Sequence, residues 1–119
     1  MRLAGTVPLV AFDERLAERV SAALLDIPDV REQQMFGGIA FLVGGHMACG
    51  IVGDELMLRL GGEGADAALD EPHVRPMDFT GKPMSTMVFV EPEGVGTDAA
   101  LAGWVMRAVA FVQTLPPKT

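Results

Sequence analysis

The first pattern of apolar and polar positions predicts an amphipathic helix near the N-terminus. Apolar side chains recur every three or four residues, at Leu16, Val20, Leu24 and Ile27. Asp13 stands where an N-cap residue is expected, and Glu14 places a negative charge in the first turn. Pro28 ends the pattern. This segment therefore contributes one apolar face to a core and carries no evident chemistry.

The pattern then changes to short apolar runs separated by glycine, which is typical of β-strands. The predicted strands are residues 31–36, 39–43, 47–52 and 55–60. Gly44-Gly45 is a two-residue hairpin signal, because glycine accepts positive φ at both central positions. In the fourth run Leu56, Leu58 and Leu60 alternate with more polar neighbours, so leucines occupy one face. Together these runs predict an antiparallel meander.

The second half of the chain predicts a short helix, an irregular segment, a strand and a closing helix. The short helix spans residues 65–69, residues 73–84 form a loop or crossover interrupted by proline and glycine, and residues 85–90 form the strand. In that strand Met87 and Phe89 share one face, and Val88 and Val90 share the other. Asp98 is the expected cap of the last helix, which Pro116 ends. Its predicted apolar stripe comprises Leu101, Trp104, Val105, Ala108, Phe111, Val112 and Leu115.

This order of elements predicts an α+β fold with two layers. We expect an antiparallel sheet of about five strands, with N-terminal and C-terminal helices packed on it. A chain of 119 residues provides enough apolar surface for one core without metal or disulfides.

Two of the predicted strands are apolar on both faces, unlike a strand with one solvated face. Residues 39–43 and 47–52 contain almost no polar side chains. A second layer must therefore cover part of the outer face of the sheet. The cover is either the 73–84 segment or a second copy of the chain, and we favour a homodimer.

The composition and net charge disfavour some classes of function and some cellular locations. Nine Lys and Arg against sixteen Asp and Glu give a net charge of −7, which disfavours direct binding to nucleic acid. The single cysteine, Cys49, excludes an internal disulfide and fits a reducing compartment. No apolar run approaches the ~20 residues that cross a bilayer, and the first residues do not resemble a secretory peptide. We therefore expect a cytoplasmic protein without membrane contact.

Candidate chemistry is sparse, and we predict no catalytic, cofactor-binding or metal-binding residues. His46 and Cys49 lie three apart on a predicted strand, so their side chains point to opposite faces. His73 has no second ligand that the sequence places beside it. The glycine-rich residues 61–64 match no nucleotide-binding motif and are expected to form a plain turn. The two serines, Ser21 and Ser85, lie in no nucleophile motif.

One set of residues is a candidate interaction patch. Methionines and basic residues come together around the fourth strand and the following segment, at Met57, Arg59, Arg75, Met77 and Lys82. We call these five residues the predicted patch. Methionine-rich surfaces adapt to protein partners. The alternative is that the methionines are core residues and the basic side chains are a solvated rim, and this alternative is the more common arrangement.

Several motifs in the chain resemble those of the TfoX/Sxy N-terminal domain family. They include Met35, Phe36, Gly37 and Gly38, the LMLR run at 56–59, and the RPMDF-GKPM segment at 75–84. The resemblance extends over about residues 12–117, which it implies to be a single domain after an N-terminal extension of residues 1–11. It implies a two-layer α+β fold, a backbone bend at Gly37 and Gly38, and Arg59 on the outward face of its strand. The founding members are positive regulators of DNA-uptake genes and carry a second, C-terminal domain, which has no counterpart in these 119 residues.

The leading functional hypothesis is a non-enzymatic regulatory domain that acts through contacts with another protein. A second hypothesis is a nucleic-acid-associated transcriptional regulator in which Arg59, Arg75 and Lys82 contact phosphates. A third is a small-molecule-binding domain with a pocket beneath the 73–84 segment. Fold alone does not decide between these hypotheses.

Overall fold

The computed structural model describes residues 12–35, 37–79 and 82–116 and shows an α+β fold. The helices and strands follow in the order α1 (Glu14–Ala23), β1 (Val30–Met35), β2 (Gly38–Val43), β3 (His46–Val52), β4 (Glu55–Arg59), α2 (Gly61–Leu69), β5 (Val74–Phe79), β6 (Lys82–Val90), the 3₁₀ helix η1 (Pro92–Val95) and α3 (Asp98–Val112). The strands form one six-stranded antiparallel sheet in the order β1-β2-β3-β4-β6-β5. The predicted fold class is confirmed, with one strand more than expected.

The N-terminal helix forms as its pattern predicts. Asp13 caps it, because the Asp13 carboxylate accepts hydrogen bonds from the backbone N–H groups of Arg15 and Leu16 at 2.9 and 3.1 Å. Leu16 and Val20 are buried against the sheet, and Leu24, just past the helix end, is buried with them. The apolar stripe read from the sequence is therefore the face that packs.

The main core lies between one face of the sheet and the three helices. It contains Phe41, Cys49, Ile51, Leu56, Leu58, Val88 and Val90 from the strands. The helices add Leu16 and Val20 from α1, Ala65 and Ala68 from α2, and Leu101, Trp104, Val105, Ala108, Val109 and Val112 from α3. We call this face of the sheet the inner face and the opposite one the outer face. Among the described residues no polar or charged side chain is buried.

The hairpin between β2 and β3 turns at two glycines, as predicted. Gly44 has φ of +61° and Gly45 has φ of +86°, values that side chains with a Cβ rarely adopt. This pair of left-handed residues matches the twist of the flanking strands. The meander of β1 to β4 therefore follows from turn chemistry that the sequence shows.

The expected loop over residues 73–84 is wrong. Residues 74–79 form β5 and residues 82–84 form the first part of β6, and the two strands pair antiparallel. The expectation of a loop rests on Pro76, Gly81 and Pro83. Pro76, however, lies on β5, the edge strand of the sheet, where a residue without an N–H can be accommodated with no loss of a ladder hydrogen bond. The pairing register shifts between Pro76 and Met77, which places a bulge at the same point.

The glycine-rich residues 61–64 form the first turn of α2 instead of the expected plain turn. A Cβ at Gly61, whose φ is +77°, would lie 2.5 Å from the Phe111 ring of α3. Helix α2 therefore begins earlier than its propensity suggests, because glycine lets it approach α3 closely.

The closing helix is capped one residue earlier than expected. The Thr97 hydroxyl accepts a hydrogen bond from the Ala100 N–H at 3.1 Å, and Asp98 is the first helical residue. None of the helices in the described ranges is long and apolar enough to cross a membrane.

Candidate functional site

The outer face of the sheet carries a small apolar cluster of its own. Met57, Met77, Met87 and Phe89 are buried there, and the half-buried Met47 packs against them. We call these five residues the outer cluster. None of its members comes from a helix. Strand pairing brings them together, since β4, β6 and β5 are adjacent in the sheet.

A continuous row of paired residues crosses the outer face. Cross-strand pairing links Gln33 to Ala40, Ala40 to Gly50, Gly50 to Met57, Met57 to Phe89 and Phe89 to Arg75. Its two ends, Gln33 and Arg75, are exposed, whereas the four positions between them are buried. A Cβ at Gly50 would lie 2.7 Å from the Met57 Cε, so the methionine side chain covers the glycine.

Arg75 lies at one side of the outer cluster and packs against it. Its guanidinium lies 4.5 Å from the centroid of the Phe89 ring and donates hydrogen bonds from Nε and Nη2 to the two carboxylate oxygens of Glu55. Strand β6 separates Arg75 on β5 from Glu55 on β4. The arginine thus spans β6, and its charge is held in one place by two kinds of contact.

The charge on Arg75 is stabilised by its surroundings. The hydrogen bond to Glu55 raises the pKa of the Arg75 guanidinium, and the negative charges of Glu55 and Glu91 act in the same direction. Partial desolvation opposes these effects. The side chain of Arg75 is 45% exposed, so a permanent positive charge is accessible at the surface.

The structure brings together only part of the predicted patch. Met57 and Met77 meet in the outer cluster, with Arg75 beside them. Both methionines are buried, which agrees with the alternative that they are core residues. The side chain of Lys82 lies outside the described residues, although its backbone pairs with Phe79.

Arg59 does not join Arg75. The register places Arg59 in phase with Met57 on the outer face, but its guanidinium lies 5.9 Å from the centroid of the Phe111 ring of α3. Arg59 is also four residues along β4 from Glu55, which corresponds to ~13 Å of strand. The outward orientation implied by the family resemblance therefore holds for the backbone position and not for the charged group.

The MFGG motif lies at the turn between β1 and β2. Gly37 has φ of +78°, which is the expected backbone bend. Gly38 begins β2, where a Cβ would lie 2.5 Å from the Ile51 carbonyl oxygen. Met35 pairs with Gly38 across the hairpin, and Phe36 lies outside the described residues. The motif is thus a close-packed turn.

Cys49 and His46 occupy separate surroundings. Cys49 is buried in the main core, and burial raises the pKa of its thiol to about 12. A thiol with this pKa is unreactive near neutral pH. The His46 Nε2 lies 2.6 Å from the Pro116 carbonyl oxygen, so the ring joins the start of β3 to the segment that follows α3.

Sequence reasoning missed the parts of the outer cluster that depend on pairing across the sheet. The alternation of residues assigns Phe89 and Met87 to one face of their strand, but it does not show that they lie beside Met57 and Arg75. Glu55 was not recognised as the partner of Arg75. The sequence signal that could have located this neighbour is the proline in residues 74–79. Proline is accepted in edge strands, and an edge strand here would lie next to the strand that carries Phe89.

Comparison with known proteins identifies the family. The sequence model described as the TfoX N-terminal domain matches residues 22–112, a range that lies within the expected domain of residues 12–117. No curated protein and no solved structure matches the chain significantly. Because the match covers well over half of the sequence, the chain belongs to the TfoX N-terminal domain family.

Proposed function

We propose that this protein is a non-enzymatic regulatory domain that binds another protein through the outer face of its sheet. The observation that carries the proposal is the outer cluster with Arg75 across Phe89. Arginine, methionine and aromatic residues are enriched in the cores of protein interfaces. Together with Arg75, whose side chain is 45% exposed, the outer cluster places all three kinds of side chain side by side on a face to which no described helix contributes a buried side chain.

The distribution of polar groups supports a binding role over a catalytic one. Catalytic acids and bases usually lie in clefts where burial and neighbouring charges shift their pKa. In the described part of the chain the pKa is raised at Cys49, which is enclosed in the core, and at Arg75, which is a surface cation. Neither arrangement provides a proton donor or acceptor near neutral pH.

The family supplies the regulatory part of the proposal. The founding members are positive regulators of DNA-uptake genes, and this chain belongs to the family of their N-terminal domain. We place this regulator in the cytoplasm, since a single cysteine suits a reducing compartment. The net charge of −7 favours a protein partner over direct contact with nucleic acid.

The test compares two arginines of the same chemistry on different faces. Arg107 stacks 4.3 Å from the Trp104 ring centroid and pairs with Glu71, on the helical side of the molecule. The wild-type protein, Arg75→Glu and Arg107→Glu would be immobilised and used to capture partners from native lysate. The captured protein would then be purified and its affinity for each variant measured by calorimetry.

We expect Arg75→Glu to weaken binding of the captured protein at least tenfold, while Arg107→Glu leaves it unchanged. Equal binding by both variants would reject the outer face. Salt-sensitive retention of DNA in a gel-shift assay, lost in Arg59→Ala, would replace this proposal with the nucleic-acid hypothesis. A captured partner that is a second copy of the chain would identify the homodimer, and light scattering would then show a dimer dissociated by Arg75→Glu.

A further inference from the structure

Three side chains of types that bind metal ions, from two segments of the chain, lie close together at the open end of the β5–β6 hairpin. His73 immediately precedes β5, Glu91 immediately follows β6, and Glu93 lies in η1. One ligand atom from each of these residues lies within 4.8 Å of the corresponding atoms of the other two. All three residues are exposed, so a hydrated ion could reach them without any opening of the fold.

The backbone fixes the positions from which these side chains project. The Glu91 N–H donates a hydrogen bond of 2.8 Å to the His73 carbonyl oxygen. This bond lies directly next to the Val74–Val90 pair of the β5–β6 ladder. His73 and Glu91 are therefore held opposite each other by the sheet, independently of their side chains.

A glycine allows η1 to approach His73. A Cβ at Gly94 would lie 2.5 Å from the Val90 Cγ1 and 3.1 Å from the His73 Cβ. Both distances are shorter than ordinary contacts between carbon atoms. The small residue at position 94 thus brings the turn that carries Glu93 against the residue that carries the imidazole.

We propose that His73, Glu91 and Glu93 bind a divalent transition-metal ion of the Zn²⁺ class. One imidazole nitrogen and two carboxylate oxygens are a ligand set that Zn²⁺ accepts, and three protein ligands leave a coordination position for water. The imidazole distinguishes this set from the all-oxygen sites of Ca²⁺ and Mg²⁺. Rotation of the exposed side chains closes the separation of the ligand atoms to the ~3 Å that ligands of one ion adopt.

The electrostatic surroundings favour a cation at this position. The site holds two carboxylates in a chain whose net charge is −7. The negative charge of Glu91 acts on Arg75. The guanidinium of Arg75, however, already donates hydrogen bonds to Glu55 and stacks on the Phe89 ring. Within residues 12–35, 37–79 and 82–116 no ion pair uses Glu91 or Glu93.

The experiment is a titration of metal-free full-length protein with ZnCl₂, measured by calorimetry and by ¹H–¹⁵N correlation spectra. The ligand variants are His73→Asn and the double variant Glu91→Gln/Glu93→Gln. Asparagine is chosen because His73 has φ of +67° and asparagine also tolerates a positive φ. The matched control is His46→Asn, because His46 is the only other histidine of the chain. Cys49 does not compete for the metal, since its buried thiol has a pKa of about 12. Circular dichroism verifies that each variant is folded.

We expect one Zn²⁺ per chain, with spectral changes confined to the backbone around residues 73 and 91–94. Affinity should fall at least about tenfold in both ligand variants and stay unchanged in His46→Asn. MgCl₂ at the same concentration should produce no comparable change. The proposal is overturned if the wild-type protein binds no Zn²⁺, or if both ligand variants bind it as well as the wild type does. The proposed metal site does not depend on the proposed protein-binding role, because no partner protein is present in the titration.

Discussion

The guanidinium of Arg75 lies 4.5 Å from the centroid of the Phe89 ring while it donates hydrogen bonds to Glu55. One side chain of the edge strand β5 is thereby linked to β6 and to β4. The contact with the ring and the ion pair share a single guanidinium, so loss of this group removes both contacts at once. The arrangement covers Phe89, which is only 4% exposed, and should therefore be measurable in the stability of the fold.

We expect Arg75→Ala to lower the free energy of unfolding by about 1 kcal/mol, since an exposed ion pair and an exposed cation–π contact each contribute less than this amount. Arg75→Lys should recover only part of the loss, because lysine keeps the charge without the planar, two-pronged donor. Urea unfolding monitored by circular dichroism measures both effects. Arg15→Ala, at an exposed helix position, is the control and should change the stability little. An unchanged urea midpoint in Arg75→Ala would show that the contact does not stabilise the fold.

Gly50 tests how tightly the sheet and the outer cluster pack. A Cβ at this position would lie 2.7 Å from the Ile39 carbonyl oxygen and 2.7 Å from the Met57 Cε. The methionine can move, but the carbonyl belongs to a paired strand. We expect Gly50→Ala to destabilise the protein by about 1–3 kcal/mol, as overpacking in a core does, with the midpoint of thermal or urea unfolding as the measurement.

The matched control for Gly50 is another glycine with open space around it. A Cβ at Gly103, in the middle of α3, would have no heavy atom within 4 Å. Gly103→Ala should therefore stabilise the protein by about 0.5–1 kcal/mol, because alanine costs less backbone entropy in a helix. If Gly50→Ala left the stability unchanged or raised it, as Gly103→Ala should, the close contact at Gly50 would be refuted.

The burial of Cys49 predicts how the stability of the protein depends on alkaline pH. Burial raises the pKa of its thiol from 9.0 to about 12, so the folded state keeps the proton that the unfolded state releases. The resulting stability is complete below pH 9 and is lost between pH 9 and about 12. Between pH 9 and 10 the wild-type protein should lose about 1 kcal/mol more than Cys49→Ala loses.

The measurement for Cys49 is denaturant unfolding of both proteins at several pH values from 8 to 10, under reducing conditions. The comparison with Cys49→Ala removes the contributions of lysines and arginines, which titrate in both proteins. Parallel curves of stability against pH for the two proteins would mean that the thiol is not desolvated in the folded state.

Local features of the sequence were sufficient for the elements that depend on near neighbours. Asp13, the spacing of Leu16 and Val20, and the glycine pair at 44–45 each determine a cap, a helix face or a turn through contacts a few residues away. The alternation in β4 and β6 also indicated which residues share a face, since side chains on a strand alternate strictly.

Pro76 shows where this reasoning failed. Proline is incompatible with a central strand and acceptable on an edge, and the sequence does not show which strand lies at the edge. The helical start at Gly61 depended in the same way on Phe111, fifty residues later in the chain. In both cases a contact remote in sequence overrode a local preference.

The sequence by itself determined the α+β class and the face assignments within each strand, because these follow from periodicity and turn chemistry over short distances. Its motifs also carried the family resemblance. Only the tertiary structure decided which faces meet. The sheet order places Arg75 beside Phe89 and Glu55, and the end of the β5–β6 hairpin places His73 beside Glu91 and Glu93. The physical reason is that the order of the strands depends on the free energy of the whole sheet. The spacing of residues within any one segment does not reveal that order.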